Sequence, residues 1–342
     1  MSKHNTIAID LAKNVFQVCI CTPDMKVKSN KKVTRADLVP LITQQEPSLI
    51  AMEACYSSHY WARTFEAMGH QVKLIPAQHV KPFVRGNKND KNDALAIAEA
   101  SARPALKSVP IKSIGQQDIQ CLHRIRERLI RNRTALANQT RGLLSEYGVI
   151  FPQGYKALVR ELTDIVSKEE CTLSPIMKKQ CHAFIEEFHE VTLRIHKIEE
   201  ELMQYAKQNE DCQRLLSLPG IGVINATALY SAIGNASQFA NPRELAVWLG
   251  LTPQQYASGD KKQMGGITKR GNRYLRKQLI HGARASIYRS KNKDDKLSQW
   301  VNELIERRGI CKASVAYAAR LARLAWLLLQ RKEHYQAHNV SA

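Results

Sequence analysis

Five short apolar runs in the first 75 residues, spaced by turn formers and helical segments, constrain this chain more than any other feature. Thr6 to Leu11, Val15 to Cys21 and Met25 to Val33 follow one another with only Lys13-Asn14 and Pro23-Asp24 to turn the chain. Runs this short, separated by turn residues, predict three antiparallel strands in a meander. Arg35 to Gln45 then predicts a helix, and Ser48 to Met52 a fourth strand. Ser57 to Met68 predicts a second helix, capped by Ser57 or Ser58 and stopped by Gly69. Gln71 to Ile75 is a fifth strand ended by Pro76. A basic loop leads into Lys88-Asn89-Asp90-Lys91-Asn92-Asp93-Ala94, where Asn89 or Asp90 caps a further helix.

The order βββαβαβα is that of the ribonuclease H-type fold, an α/β arrangement whose first and fourth strands lie side by side and parallel. Asp10 closes the first strand and Glu53 the fourth, so the two come close at one sheet edge. Asp90 and Asp93 are three apart and share one face of a first helical turn. Carboxylates so placed repel one another unless a cation sits among them, and a hard cation with oxygen ligands, Mg²⁺ above all, offsets that repulsion. Taken singly, each has an ordinary reading: a turn starter, a surface strand end, a solvated acidic cap. Taken together, four carboxylates from three elements are what a two-metal phosphodiester site needs, its cations roughly 4 Å apart. A sugar-kinase or actin-type ATPase also opens with a strand and an Asp. It wants glycine directly afterwards for the phosphates, and Leu11-Ala12-Lys13 supplies none.

Pro104 and Pro110 mark a linker, after which the chain turns helical. In Asp118 to Tyr147 the leucines and isoleucines keep helical spacing, and Arg124, Arg126, Arg128, Arg131, Arg133 and Arg141 outnumber Asp118, Glu127 and Glu146. That imbalance favours a phosphate-contacting helix over a merely solvated one, with Arg124, Arg128 and Arg131 as candidates. Pro175 to Asn209 carries Phe184, Phe188, Val191, Ile195, Ile198 and Leu202 on one stripe, a helix–helix seam within the chain or between protomers. Leu218-Pro219-Gly220-Ile221-Gly222 reads as a helix-hairpin-helix signature. Gly220 and Gly222 would let backbone amides approach a phosphate at the next helix start; a plain tight turn is the alternative. Between Tyr256 and Arg289 stand nine basic residues against Asp260 alone, Lys269, Arg270 and Arg273 among them. Glycine-rich loops of this charge suit a nucleic-acid backbone. Ser258 precedes Gly259 in an expected turn, and no His/Asp dyad stands nearby to activate it as a triad would.

Lys plus Arg number 51 against 31 Asp plus Glu among 342 residues, a formal charge of +20, which points to a polyanionic partner, nucleic acid first and an anionic membrane second. No apolar run reaches membrane-spanning length, since Arg320 and Arg323 interrupt the most apolar late stretch, and no signal-peptide pattern opens the chain. A cytoplasmic location is the expectation. Eight cysteines without a C-x-x-C pair predict reduced, mostly buried thiols rather than a zinc site or disulfide framework.

Ile9-Asp10-Leu11-Ala12-Lys13, Met52-Glu53-Ala54 and Asn89-Asp90-Lys91-Asn92-Asp93-Ala94 resemble the Asp, Glu, Asp-x-x-Asp set of the DEDD transposases of bacterial insertion sequences. Gly250-Leu251-Thr252-Pro253 through Tyr256-Ala257-Ser258-Gly259 resembles the C-terminal motif of the same family, a group related to the pilin-gene inverting proteins and including bridge-RNA-guided recombinases. The resemblance implies a Holliday-junction-resolvase-like first domain over 1–105, a helical coiled coil for dimerisation over 106–210, and a mostly helical transposase domain over 211–342. It implies Mg²⁺ on Asp10, Glu53, Asp90 and Asp93, and Ser258 as a nucleophile forming a phosphoserine link. DNA ends and target, a bridge RNA and further copies of the chain are its implied partners. Two other readings stay open on the residues alone. One is a structure-selective nuclease in which water attacks; the other is a non-enzymatic architectural binder.

Overall fold

The computed structural model describes residues 4–86, 89–168, 173–258, 261–291, 293 and 295–337. Lys88, Gly259 and Asp260, named above, and Cys171, one of the eight cysteines, lie outside the described residues, as do the side chains of Lys261 and Lys262. The chain forms two compact units, Met1–Ser113 and Ile114–Ala342.

In the first unit β1 (Thr6–Asp10), β2 (Val15–Cys21), β3 (Val27–Thr34), β4 (Leu49–Glu53) and β5 (Gln71–Ile75) make one sheet in the order β3-β2-β1-β4-β5. The meander is antiparallel, and β1 pairs parallel with β4, Ile9 opposite Met52, as expected. The β1 backbone is central and its side chains face both layers, which is why Thr6-Ile7-Ala8-Ile9 is uninterruptedly buried. Edge strand β3 carries Lys28, Lys31 and Lys32, charges that discourage pairing with another chain. Helices α1 (Arg35–Thr43) and α2 (Ser58–Ala67) pack on one face against Ile7, Ile9, Phe16 and Val18. Short α3 (Ala77–Val80) and long α4 (Asp90–Ser101) pack on the other, against Ala8, Cys19, Cys21 and Ala51. Small residues dominate that second layer, with Ala94, Ala96, Ala98 and Ala100 on the helix, so helix and sheet approach closely.

The second unit holds α5 (Ile114–Ser145), α6 (Tyr155–Ser167), α7 (Pro175–Gln208), α8 (Glu210–Leu216), α9 (Val223–Ile233), α10 (Pro242–Trp248), the hairpin β6 (Pro253–Ser258) and β7 (Lys261–Ile267), α11 (Arg273–Ile287) and α12 (Lys296–Arg331). Gly309, at φ 77°, breaks the last of these. One apolar cluster spans α8 to α12, and two smaller ones run along α5, α6 and α7.

The division of the chain differs from the expectation. The segment from residue 106 is no free linker: Val109 N–H donates to Leu74 O at 2.7 Å and Arg63 Nη1 to Lys112 O at 2.7 Å, tying it to the first unit. The boundary therefore falls at Ser113/Ile114, and the helical middle shares a unit with the C-terminal part instead of forming a third. The stripe on α7 is spent inside the chain, where Phe188, Ile195, Ile198 and Leu202 are buried with residues of α5 and α6. Most of the described cysteines are buried free thiols, as expected: Cys19, Cys21, Cys181 and Cys212 are buried and Cys55 is half-buried, while Cys121 and Cys311 are exposed.

A buried polar clasp joins three helices of this unit. His123 of α5 lies at 2.9 Å from Tyr274 Oη of α11 and 3.0 Å from Thr227 Oγ1 of α9. Thr227 Oγ1 already donates to Val223 O, so it accepts from His123 Nε2–H, and Nδ1 accepts from Tyr274. Burial, with Arg126 nearby, holds the imidazole pKa down at about 4. A second proton on the ring would force the Tyr274 hydroxyl from donor to acceptor and place a charge in a buried site. Between pH 6.5 and 4 the unfolded chain binds that proton and the folded chain does not, so stability falls as pH is lowered through this window, by about 3 kcal/mol in all. Thermal melts from pH 7 to 4.5 check this: His123→Gln flattens the acid-side decline in Tm, His59 of the first unit contributing the remainder in the same direction through its own pKa of about 4. An unchanged slope in the variant removes His123 as a cause.

Candidate active site

Strand register builds the carboxylate site. Lys32 pairs with Gln17 and Gln17 with Asp10, so the three form a row across β3, β2 and β1. Glu53 ends β4 one residue beyond Met52, beside Asp10 at the end of β1. Side chains two apart on a strand share a face. Asp10 thus lies on the Ala8 side and Glu53 on the Ala51 side, the layer covered by α4. Asn89 caps α4, its Oδ1 accepting from Asn92 N–H at 2.8 Å, which settles the cap between the two candidates. Asp90 is therefore the first helical residue, with Asp93 one turn on.

The helix start is tied to the edge strand. Asn30 Nδ2 donates to Lys91 O at 3.0 Å, and Lys32 Nζ lies 3.2 Å from Asp90 Oδ2. Gln17, buried between Lys32 and Asp10, donates to Asn30 Oδ1 at 2.7 Å. Burial pushes the Glu53 carboxyl above its ordinary range, and the negative charge of Asp93 pushes it further. The structure thus brings Glu53 and Asp93 together and sets Asp10 at the adjoining strand end. Asp90 instead has a cation already, Lys32, which the sequence did not foreshadow because it lies on a strand 58 residues earlier. Among the described residues no three carboxylate, His or Cys side chains are gathered as a metal-holding group.

In the second unit, Ser258 is the last residue of β6, paired with Lys261 of β7, instead of a turn residue. Its side chain is exposed, on the same face of the strand as exposed Tyr256. The hairpin springs from a tight neck. Gly250 and Gly271 adopt φ +68° and +79°, and a Cβ on either would run into the backbone of Arg270 or Trp248 respectively. Arg276, counted above among the nucleic-acid-facing cations, is buried and donates to Leu249 O and Arg270 O, both at 3.0 Å. It closes the neck and does not face solvent. Lys269, Arg270 and Arg273 are exposed.

The arginines of α5 divide in the same way. Arg126 pairs with Glu199 of α7 at 2.6 Å, Arg133 stacks 3.8 Å from the Tyr155 ring, and Arg141 donates to Pro152 O and Gly154 O. Arg124, Arg128 and Arg131 stay exposed at i, i+4 and i+7, one outward face, with Arg131 3.8 Å from Glu127. Gly220, at φ +98°, takes the left-handed position of the turn that Ile221 N–H closes on Leu218 O between α8 and α9, and Gly222 is the N-cap of α9.

Comparison with known proteins bears on both units. Residues 7–149 match a DEDD-type family model described as "Transposase", and residues 212–299 match the model described as "Transposase IS116/IS110/IS902 family". The transposase for insertion sequence element IS1111A of Coxiella burnetii is 45% identical over 330 residues, 96% of this chain and 91% of that one. A "Probable family 20 transposase" of Pseudomonas aeruginosa is 42% identical over 331 residues, 96% and 98% of the two chains. The transposase for element IS1328 of Yersinia enterocolitica is 35% identical over 322 residues, 94% and 96%.

The chain belongs to the IS116/IS110/IS902 transposase family. It is accordingly an enzyme that cuts and rejoins DNA. The first family match spans Asp10, Glu53, Asp90 and Asp93, and the second spans the 218–222 hairpin, Ser258 and Lys269 to Arg273. No helix among the described residues of this transposase is long and apolar enough to cross a membrane.

The coupling of the two acids is directly measurable. Asp93→Asn lowers the Glu53 pKa while leaving it above the ordinary carboxylate range, because burial is the larger cause and remains. Carboxyl NMR titration of selectively labelled glutamate reads this shift; a Glu53 that titrates identically in the variant shows that the two groups do not interact.

Proposed function

We propose that this transposase joins DNA through a Mg²⁺-dependent carboxylate site in its first unit and a serine nucleophile, Ser258, in its second. The observation that carries the reading is the Glu53 carboxyl, raised first by burial and then by the charge of Asp93, beside Asp10 on a sheet of order β3-β2-β1-β4-β5, in which β1 lies next to β4 as a ribonuclease H-type fold requires. A buried carboxyl whose ionisation a neighbouring carboxylate opposes is what a divalent cation relieves. Asp10, Glu53, Asp90 and Asp93 would hold Mg²⁺, whose chemistry is to stabilise charge on the attacking and leaving oxygens of a phosphodiester. Asp90 is not locked away from this role. Its ion pair with Lys32 joins side chains 60% and 67% exposed, a contact worth about 0–1 kcal/mol.

Ser258 Oγ attacks a DNA phosphorus. The P–O bond to serine forms as one P–O bond to deoxyribose breaks, and the proton lost by the serine hydroxyl is matched by one gained at the departing sugar oxygen. The phosphoserine link conserves the bond energy, so attack by a new strand's hydroxyl reverses the step without an energy-rich cofactor. Arg124, Arg128, Arg131, Gly220, Gly222, Lys269, Arg270 and Arg273 contact the nucleic acid. The substrates are element ends and target DNA, chosen through a bridge RNA, in a dimer or tetramer. Since the α7 stripe is buried within the chain, such an assembly has to use other surface, and the outer side of α7 exposes Leu193 and Met203. Relatives named as transposases of insertion sequence elements support the choice of substrate. A second reading, a structure-selective nuclease in which water attacks, draws on the compactness of the carboxylate unit by itself.

The deciding experiment incubates wild type, Ser258→Ala and Glu53→Gln with element-end DNA, the element's RNA and Mg²⁺. Wild type gives a denaturant-resistant protein–DNA adduct, Ser258→Ala gives none, and Glu53→Gln or chelation lowers joining by at least about 100-fold. Cleavage to free 5′-phosphates without an adduct favours the nuclease, and an adduct that persists in Ser258→Ala removes the serine from the chemistry.

A further inference from the structure

We propose that Gln17 of β2 is a further oxygen donor of the carboxylate site, its amide oxygen turned, beside Asp10, toward the divalent cation that the acids hold. This role rests on the metal reading given above and adds to it a neutral residue that no acidic motif marks. Gln17 is the one amide of β2 and is only 2% exposed. A polar group buried in an apolar strand costs free energy unless both of its ends are used.

One end is used. Asn30 Nδ2 donates to Lys91 O at 3.0 Å, and Gln17 Nε2 donates to Asn30 Oδ1 at 2.7 Å. A backbone carbonyl can only accept, so Lys91 O at the start of α4 fixes which way the Asn30 amide points. Asn30 in turn fixes Gln17. Flipping either amide sets two acceptors or two donors face to face. Gln17 Oε1 is therefore held away from Asn30, buried, with no hydrogen-bond partner among the described residues.

Strand register shows what this oxygen faces. Asn30 lies on β3, and on the other side of Gln17 stands Asp10 of β1, directly opposite in the ladder. The Cβ atoms of such a pair are about 4.5–5.5 Å apart. Gln17 shares a face with Cys19, and Asp10 with Ala8, so both point into the layer under α4. It is the layer in which the charge of Asp93 reaches Glu53.

An amide oxygen beside a carboxylate sets acceptor against acceptor, and a cation satisfies both. Carbonyl and carboxylate oxygens together suit Mg²⁺, Ca²⁺ and Mn²⁺. Confinement points the same way. A hydrogen-bonded water stands about 2.7–2.8 Å from an oxygen, whereas Mg²⁺ stands about 2.0–2.1 Å away and needs less room. A neutral donor also fills a coordination position without adding to the repulsion that Asp93 already exerts on Glu53. The Asn30 relay ties this oxygen to the helix that carries Asp90 and Asp93, so one set of bonds orients donors on β2 and α4 together.

The test is divalent-metal binding by the full chain, with Mg²⁺ read by titration calorimetry and Mn²⁺ by the paramagnetic resonance of the free ion. Gln17→Met keeps the length of the side chain and suits an apolar layer but has no oxygen. Gln17→Glu keeps an oxygen and loses the donor to Asn30. With thermal melts reporting folded proteins, Gln17→Met should weaken Mn²⁺ binding about tenfold. It should raise the Mg²⁺ concentration for half-maximal DNA joining by a similar factor, while joining recovers at saturating Mg²⁺. Gln17→Glu should bind metal at least as tightly as wild type. Wild-type metal affinity in Gln17→Met overturns the proposal. Equal weakening in both variants also overturns it, because Gln17 then acts only by holding α4 through Asn30. Should Gln17→Met fail to fold, Gln17→Glu decides alone, and weaker binding in it counts against the donor. A wild-type chain that takes up neither Mg²⁺ nor Mn²⁺ overturns the metal reading itself.

Discussion

Parallel pairing of β1 with β4 is the constraint on which the first unit depends. Once Ile9 lies opposite Met52, the carboxylates that follow each have to end side by side. The two-residue period of a strand then sends Ala8 and Ala51 to the same layer, and their small side chains let the alanine-rich α4 settle close to the sheet. That closeness is what carries Asp93 within electrostatic reach of Glu53. Bulkier residues at positions 8 and 51 would lift the helix and with it one half of the acidic pair.

The same layer shows how a site of like charges is held without collapsing. Lys32 and Asn30 of the edge strand hold the start of α4, the first by charge on Asp90 and the second by a backbone bond to Lys91. The amide of Gln17 separates Lys32 from Asp10 and keeps the row neutral in the middle. In the second unit polar groups serve packing in a comparable way. His123 clasps three helices, and Arg276 spans the neck of the hairpin that carries Ser258. The basic surplus of this chain is therefore of two kinds, guanidinium groups turned inward on carbonyls and carboxylates, and others left facing out.

Much of the first unit is legible from residue order. Its strands are short, apolar and bounded by turn formers, and α4 has a cap and two acids in its first turn, all local signals. The β6–β7 hairpin is not legible in this way. Pro253-Gln254-Gln255-Tyr256-Ala257-Ser258 and Lys261-Lys262-Gln263-Met264-Gly265-Gly266-Ile267 lack an apolar face, so hydrophobic period says nothing; the pairing is enforced from below by Gly250, Gly271 and Arg276. Helix α6 and the long α12 were also not delimited from the sequence, the first following a Phe151-Pro152-Gln153-Gly154 break and the second interrupted at Gly309. The division of the chain escaped too, because a proline-flanked segment looks like a linker whether or not it adds a bridge to a sheet edge, as Val109 does at Leu74.

By itself the sequence determined the kinds of element, the positions of the acids at strand and helix ends, and the family, since these depend on neighbours a few residues apart or on motifs read in order. Only the tertiary structure decided which charges meet. Lys32 on Asp90, Arg126 on Glu199 and Asp93 beside Glu53 join residues between 40 and 73 positions apart. It also decided that the apolar stripe of α7 closes on α5 and α6 within one chain. A stripe specifies that it will be buried and carries no information on what buries it, because the hydrophobic effect is non-directional.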